Sequence, residues 1–223
     1  MATLFRLVLA ASLWLAIPAA TPQDATSYGI FEGSTDIGAT HAGSSVFDRA
    51  SDSYRITGGG ADMWGTADAF HFSWVELAGD ATLTADVRFA DGANIPLEKA
   101  VLIFRQNLEP GAAYADVAVH ADGHTTLQYR VNSDEKTADV TAPGRGATRL
   151  RIERRGDRFT AFASSADEKL NEISSMTIAM RNSVYVGIGV CAHNSEGLAT
   201  VTFSNVRLEQ NGVPIHGRPR KEK

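Results

Sequence analysis

Three aspartates in glycine-containing segments are the first residues whose type could do chemistry. Asp36, Asp62 and Asp68 each lie within a few residues of a glycine. Carboxylate oxygens on such loops are the ligands that Ca²⁺ prefers. Aspartate is also a common turn former, because its carboxylate accepts hydrogen bonds from nearby backbone amides, and no Asp-x-Asp-x-Asp loop is present. The sequence leaves both interpretations open: a structural calcium ion, with no other cofactor expected, or turn and capping roles.

Exposed aromatic rings beside hydrogen-bonding side chains would suit a second chemistry, the binding of sugars. Sugar rings stack their C–H faces on Trp or Tyr and present hydroxyl groups on every side. The candidates for such a site are Trp64, Tyr54, Arg105, Gln106, Tyr114, Gln128 and Asn194. For Trp64, which follows a run of glycines, the alternative is a packed position that plugs the end of the domain core.

Glycosidase chemistry requires a pair of carboxylates, and alternate residues of one strand would point such a pair into one cleft. No glutamate in this chain has an aspartate two residues later. A pair assembled from distant strands stays open. The sequence also lacks a Gly-x-Ser-x-Gly elbow, a P-loop, a dinucleotide fingerprint and a His-Glu-x-x-His motif. A non-catalytic role is therefore expected.

The elements that must position these residues centre on residues 56–74. Three consecutive glycines, 58–60, allow unusual backbone angles or close backbone approach. After them, Phe70, Phe72 and Trp74 alternate with smaller or polar residues. The pattern predicts a strand, a glycine-rich crossing and a second strand whose aromatic face packs into the core.

The rest of the chain predicts a series of roughly twelve short strands. Residues 81–89 show the clearest alternation, with Leu83, Ala85 and Val87 on one face, and residues 100–104 are continuously apolar, as in a central strand. Residues 166–175 have a faint helical pattern that is too short for a core helix. The sequence predicts an all-β fold, a two-sheet antiparallel β-sandwich or jelly roll.

Four segments carry a resemblance to a known family, and they are residues 36–38, 60–72, 99–105 and 185–194. Over residues 28–208 the chain resembles a concanavalin A-like (lectin/glucanase, laminin G-like) jelly-roll domain, in particular an uncharacterised bacterial branch of secreted proteins. The resemblance implies two antiparallel sheets, a concave face that holds a glycan in better-known relatives, and sometimes a calcium ion at the rim.

The first twenty residues have the pattern of a secretory signal peptide. Arg6 precedes an apolar run of about eleven residues, 7–17, and small residues follow at 18–20. A membrane span needs about 20 apolar residues, so a cleaved signal is favoured over an anchor. No second apolar segment of spanning length follows. A secreted, periplasmic or extracellular location is expected.

The net charge, the cysteine content and the C-terminal segment each lead to one further prediction. The net charge is −5, which gives no electrostatic reason to bind nucleic acid. Cys191 is the only cysteine, so no intrachain disulfide can form and the core must stabilise the fold. Residues 209–223 end in a basic cluster and are predicted to be a flexible tail.

The sequence thus favours an exported, non-catalytic module that binds a glycan or another extracellular or envelope polymer. Two alternatives remain. One is a structural or protein-interaction β-sandwich without a small ligand. The other is a hydrolase that acts on polysaccharide.

Overall fold

The computed structural model describes residues 28–90, 95–165 and 168–216, and every regular element in these ranges is a strand. The strands are β1 (Gly33–Ile37), β2 (Ser44–Asp48), β3 (Ser53–Gly60), β4 (Met63–Trp64), β5 (Ala67–Asp68), β6 (Phe70–Ala78), β7 (Ala81–Phe89), β8 (Lys99–Arg105), β9 (Tyr114–His120), β10 (Thr125–Arg130), β11 (Ala138–Thr141), β12 (Arg149–Arg155), β13 (Arg158–Ser164), β14 (Asn171–Thr177), β15 (Ser183–Cys191), β16 (Asn194–Gln210) and β17 (Val213–Pro214).

Two large antiparallel sheets stack face to face. Sheet A has the strand order β1-β6-β15-β8-β9-β10-β11, and sheet B has the order β14-β13-β12-β7-β16-β3-β2, with β17 paired to β16. Strands β4 and β5 form a separate short hairpin. The predicted all-β, two-sheet antiparallel sandwich is confirmed.

The main core lies between the sheets. In β7, Leu83, Ala85 and Val87 are buried in it, whereas Thr84, Asp86 and Arg88 lie on the outer face of sheet B. The predicted alternation is therefore confirmed. It leaves sheet B with one solvent-facing surface, as period-two patterning requires.

Strand β8 is buried along its whole length. It lies in the middle of sheet A between β15 and β9. Leu102 packs in the core between the sheets, while Val101 and Ile103 belong to a second apolar cluster on the outer face of sheet A. The prediction of a central strand buried on both sides is confirmed.

The aromatic face of β6 lies on the outer side of sheet A, whereas the sequence predicts that it packs into the main core. Phe70, Phe72 and Trp74 belong to the second cluster, and the residues of β6 that enter the core between the sheets are Val75 and Leu77. Both faces of this strand are apolar, so its pattern could not identify which face meets the other sheet.

Six short strands are not predicted by the sequence, and they are β1, β4, β5, β11, β14 and β17. Residues 171–177, which include much of the segment with a helical pattern, form the edge strand β14 along β13. Strands β1 and β11 are the two edges of sheet A. Short edge strands are half-exposed and mixed in composition, so their sequences carry little periodicity.

The C-terminal end of the sandwich lies beyond the predicted domain bound at residue 208. Strand β16 continues to Gln210, and β17 turns back to pair with it. The predicted signal peptide, residues 1–20, and the basic end of the tail, 217–223, lie outside the described residues. Within the described ranges, no helix has the length and apolarity needed to cross a membrane.

Candidate functional site

The β4–β5 hairpin lies across the outer face of sheet A and covers the second apolar cluster. Met63 is fully buried in that cluster. The backbone carbonyl of Gly65 accepts a hydrogen bond from the N–H of Thr137 at 2.8 Å, and the N–H of Asp68 donates to the carbonyl of Pro110 at 3.0 Å. Backbone bonds to two separate loops therefore fix both ends of the hairpin.

A buried ion network holds the hairpin from below. Nη1 of Arg105 is 2.6 Å from Oδ2 of Asp68, and Arg130 donates to both carboxylate oxygens of Asp68 at 2.8 and 2.9 Å. All three side chains are inaccessible to solvent. A carboxylate with this many charge-assisted bonds is committed to structure.

The remaining guanidinium donors are also used. Arg105 donates to the carbonyl of Glu109 at 2.7 Å, and Arg130 donates to the carbonyls of Glu135 and Ala112 at 2.9 and 3.0 Å. Both guanidinium groups lie against the ring of Tyr114, at 5.7 and 5.1 Å from its centroid. These hydrogen bonds offset the free energy that is lost when the three charged groups are removed from water.

These contacts correct three predictions. Arg105 and Tyr114 were expected to bind a sugar, but both are fully buried under the hairpin. Asp68 was expected to be a metal ligand, but its oxygens are occupied by two arginines. The sequence brings the three residues together for packing and not for a ligand.

A second polar cluster lies where the hairpin meets the start of β8. Nζ of Lys99 is 3.2 Å from Oε1 of Gln128 and 3.4 Å from Oδ1 of Asp62. The same oxygen of Asp62 is 3.3 Å from Nε2 of His193. Lys99 and Gln128 are buried, which corrects the expected exposure of Gln128, whereas Asp62 and His193 reach the surface.

Trp64 is the exposed aromatic residue of the hairpin. It is 43% exposed, although Met63 before it is buried and the carbonyl of Gly65 after it is hydrogen-bonded to Thr137. The predicted alternative of a packed plug is therefore not what the structure shows. An exposed indole on a fixed backbone is a surface that could stack on a ligand.

Asp116 lies on the same face of sheet A, in strand β9 beside β8. It is fully buried, and neither of its carboxylate oxygens has a hydrogen bond from the described residues. Burial raises the pKa of Asp116 to about 8, although the positive charge of Lys99 and the nearby backbone N–H of Gln128 act in the opposite direction. Its oxygens are out of reach of solvent.

Asp36 also has protein partners in place of a metal. Its Oδ1 is 2.7 Å from Nδ1 of His71, and both oxygens accept from the N–H of Gly43 at 3.1 and 3.2 Å. Nε2 of His71 is 3.0 Å from Oγ of Ser45, which also contacts Oγ of Ser73. A chain of polar groups thus links strands β1 and β6 of sheet A to β2 of sheet B.

The other predicted ligand residues are dispersed. Tyr54 is buried between the sheets, where its hydroxyl accepts from the N–H of Ile30 at 2.8 Å and burial raises its pKa to about 12. Gln106 accepts from the N–H of Arg181 at 2.7 Å. Asn194 caps its own loop by accepting from the N–H of Glu196 at 2.9 Å. Burial removes Tyr54 from any exposed aromatic platform.

No calcium cage forms from these aspartates. They belong to three separate networks, and nowhere in the described ranges do three or more His, Cys, Asp or Glu side chains cluster in a way that could hold a metal ion.

Sequence reasoning missed Arg130, Lys99 and His193. Arg130 ends a strand that is otherwise uncharged and shares a face with Gln128. Lys99 begins a strand whose other charged residue, Arg105, lies on the same face. In both strands, a charged residue lies two or more positions from another polar residue on the same buried face. Charged residues are rarely buried without a partner, so this pattern indicates a buried polar network.

Two cavities lie away from the hairpin. The larger, of about 780 Å³, is at one end of sheet B beside Phe47, Tyr54 and Ile215. The smaller, of about 390 Å³, lies on the outer face of sheet B among Thr84, Arg151 and other polar residues.

Comparison with known proteins supports the fold. No protein-family model and no curated protein matches the sequence. Many solved structures are similar to the chain in fold, among them the following three. A functionally unknown protein from Saccharomyces cerevisiae has 20% identity and a TM-score of 0.57, with 75% of this chain and 95% of that chain covered. Carbohydrate-binding module CBM66 from Bacillus subtilis has 17% identity and a TM-score of 0.54, covering 81% and 97%. Arcelin-5, a lectin-like defence protein from Phaseolus vulgaris, has 10% identity and a TM-score of 0.48, covering 79% and 96%.

The first two similarities show a shared β-sandwich fold along nearly the whole length of each similar protein. The narrower assignment to a bacterial branch of secreted concanavalin A-like domains stays a prediction.

Proposed function

We propose that this chain is an exported binding module for a carbohydrate or another extracellular or envelope polymer, without glycosidase activity. The observation that carries the proposal is the exposed indole of Trp64 on a hairpin that a buried Asp–Arg network holds in place. A rigid aromatic platform binds a sugar ring with little loss of conformational entropy.

Polar groups beside the hairpin support this proposal. Asp62 and His193 reach the surface, and Asp62 is held by Lys99 on one side and contacts His193 on the other. A sugar stacked on an indole needs such donors and acceptors for its hydroxyl groups. The similarity in fold to a carbohydrate-binding module agrees with the same function.

The carboxylates support binding over glycoside cleavage. Asp68 is paired with two arginines, and the oxygens of Asp116 are inaccessible to solvent. A retaining or inverting glycosidase would need two carboxyl groups that both face the substrate.

The exposed apolar residues bear on the alternative of a protein-interaction surface. The large exposed hydrophobic side chains of the described ranges lie on six separate segments and are Val46, Trp64, Leu97, Val131, Leu198 and Val213. An interaction surface would require a contiguous patch of several hundred Å².

The test is a pull-down of the whole chain with insoluble polysaccharides and a glycan array, with calcium and with chelator. We expect native protein to be retained on at least one polysaccharide and Trp64→Ala to lose about tenfold or more in affinity. Loss of a single base- or sugar-stacking aromatic typically has this size, about 1–3 kcal/mol.

Val46→Ala is the matched control, because Val46 is also exposed but lies on sheet B. It should bind as native protein does. The proposal fails if no polysaccharide retains the native chain, or if Trp64→Ala and Val46→Ala bind equally well. Urea unfolding of both variants shows that the fold is intact.

A further inference from the structure

The polar chain at the open edge of the sandwich has the hydrogen-bond order of a nucleophile, a base and an orienting acid. Nδ1 of His71 is 2.7 Å from Asp36, and Nε2 is 3.0 Å from Oγ of Ser45. Both distances lie in the range of about 2.6–3.2 Å expected for an activated serine. Such a triad is recognised by geometry and roles, whatever the fold or the chain order.

Neighbouring groups fix the orientation of each member. Two bonds from the N–H of Gly43 hold the carboxylate of Asp36, and Gly43 lies against the imidazole with no room for a side chain. In the tautomer that donates from Nδ1 to Asp36, Nε2 is free to accept the proton of Ser45. Ser73 then donates its own hydroxyl proton to Oγ of Ser45.

The site opens at the side of the molecule where both sheets end. Strand β1 is an edge of sheet A, and β2 is an edge of sheet B. The side chain of Asp36 is 32% exposed and Ser45 is half-buried, whereas His71 is 4% exposed. Ser34, paired with Ser73 in the sheet, adds a third small hydroxyl on the same face. Three serine hydroxyl groups therefore lie close together beside His71 at this edge.

We propose that Ser45, His71 and Asp36 form a catalytic triad that hydrolyses small acyl esters such as acetyl esters. Oγ of Ser45 attacks the ester carbonyl carbon while Nε2 of His71 takes its proton. The bond to the alcohol breaks, and the alcohol leaves with that proton. Water then attacks the acyl-Ser45 ester and gives a proton to His71. His71 returns this proton to Oγ of Ser45 as the carboxylic acid leaves, which restores free Ser45.

Ser73 has a supporting role in this reaction. Its buried hydroxyl donates to Oγ of Ser45 and so holds the nucleophile beside His71. This activity goes beyond polymer binding and does not depend on Trp64.

The experiment is covalent labelling of the whole chain with a fluorophosphonate, followed by tandem mass spectrometry to locate the label, with chymotrypsin as the positive control. The label should be on Ser45. Hydrolysis of p-nitrophenyl acetate by the native chain should exceed that by Ser45→Ala at least tenfold. Ser44→Ala is the matched control, because Ser44 is the exposed neighbour on the same strand, and it should label at the native rate.

Asp36→Asn tests the orienting role. With the wrong tautomer of His71 favoured, we expect at least a tenfold slower labelling rate at Ser45, with the protein still folded by circular dichroism. Three results would overturn the proposal: no label on native protein while chymotrypsin is labelled, a label on a serine other than Ser45, or equal ester hydrolysis by native protein and Ser45→Ala. Locating the label on native protein needs no variant, so a folding defect in a variant cannot hide the outcome.

Discussion

Two buried aspartates on the same face of sheet A have opposite environments. Asp68 accepts bonds from two arginines, whereas Asp116 lies one strand away from Lys99 without any hydrogen bond from the described residues. An ionised carboxylate is stable in a protein interior only when partners replace its lost hydration. Asp68 thus serves as an anchor, and Asp116 is a weak point whose effect on stability depends on pH.

The pKa of Asp116 gives the direction of that dependence. Burial raises it from 3.8 to about 8, so the folded state holds this proton more tightly than the unfolded chain. The contribution of Asp116 to the free energy of unfolding is fully present below pH 3.8. It is lost progressively as the pH rises to about 8, because the unfolded chain releases this proton first. Asp116→Asn cannot ionise and should therefore become more stable than native protein as the pH rises from 5 to 8, by about 1 kcal/mol or more, or about 2–4 °C in Tm.

Thermal unfolding of native and variant protein across this pH range measures the difference. Asp139→Asn is the control, because Asp139 is exposed and lies in the same row of the sheet, across Gln128 from Asp116. Its Tm should follow that of native protein at each pH. A Tm difference for Asp116→Asn that stays constant from pH 5 to 8 would contradict the assignment.

At the scale of elements, the glycine-rich crossing before the hairpin determines where the hairpin lies. Gly60 has φ of 108° and no room for a side chain, because a Cβ atom there would collide with the carbonyl oxygen of Ala69. The backbones that lead into and out of the hairpin are therefore in direct contact. Only glycine permits both this conformation and this approach.

Alanine substitutions at three glycines separate the two effects. Gly144 has open space around it and no positive φ, Gly65 has open space and φ of 62°, and Gly60 has positive φ and a collision. We expect Gly144→Ala to be nearly neutral, Gly65→Ala to lose about 1 kcal/mol and Gly60→Ala to lose more than about 2 kcal/mol. Urea unfolding measures all three. An effect of Gly60→Ala no larger than that of Gly65→Ala would show that the close approach is not needed.

At the scale of the whole molecule, the sequence predicted the sandwich but not the arrangement on its outer face. The alternation in β7 and the apolar run of β8 are local patterns of a few consecutive residues, so the sequence alone predicts both strands. The pairing of Asp68 with Arg105 and Arg130 depends on contacts between residues 37 and 62 positions apart. No local pattern encodes such a contact. The sequence therefore predicts a ligand-binding role for Arg105 and a metal-binding role for Asp68, although both residues pack under the hairpin.

The single thiol reports on the stability of the whole assembly. Cys191 is fully buried beside Gly60 in the apolar cluster under the hairpin, and burial raises its pKa to about 11. Thiol reagents react with the exposed thiolate, so labelling should require unfolding. We expect the rate of Cys191 modification in increasing urea to follow the loss of β-sheet circular dichroism, with no effect of reductant on Tm, since no disulfide is available to the chain. Modification within minutes in the absence of urea would instead show that the hairpin opens locally, and the buried Asp68 network would then contribute less to its position than the geometry indicates.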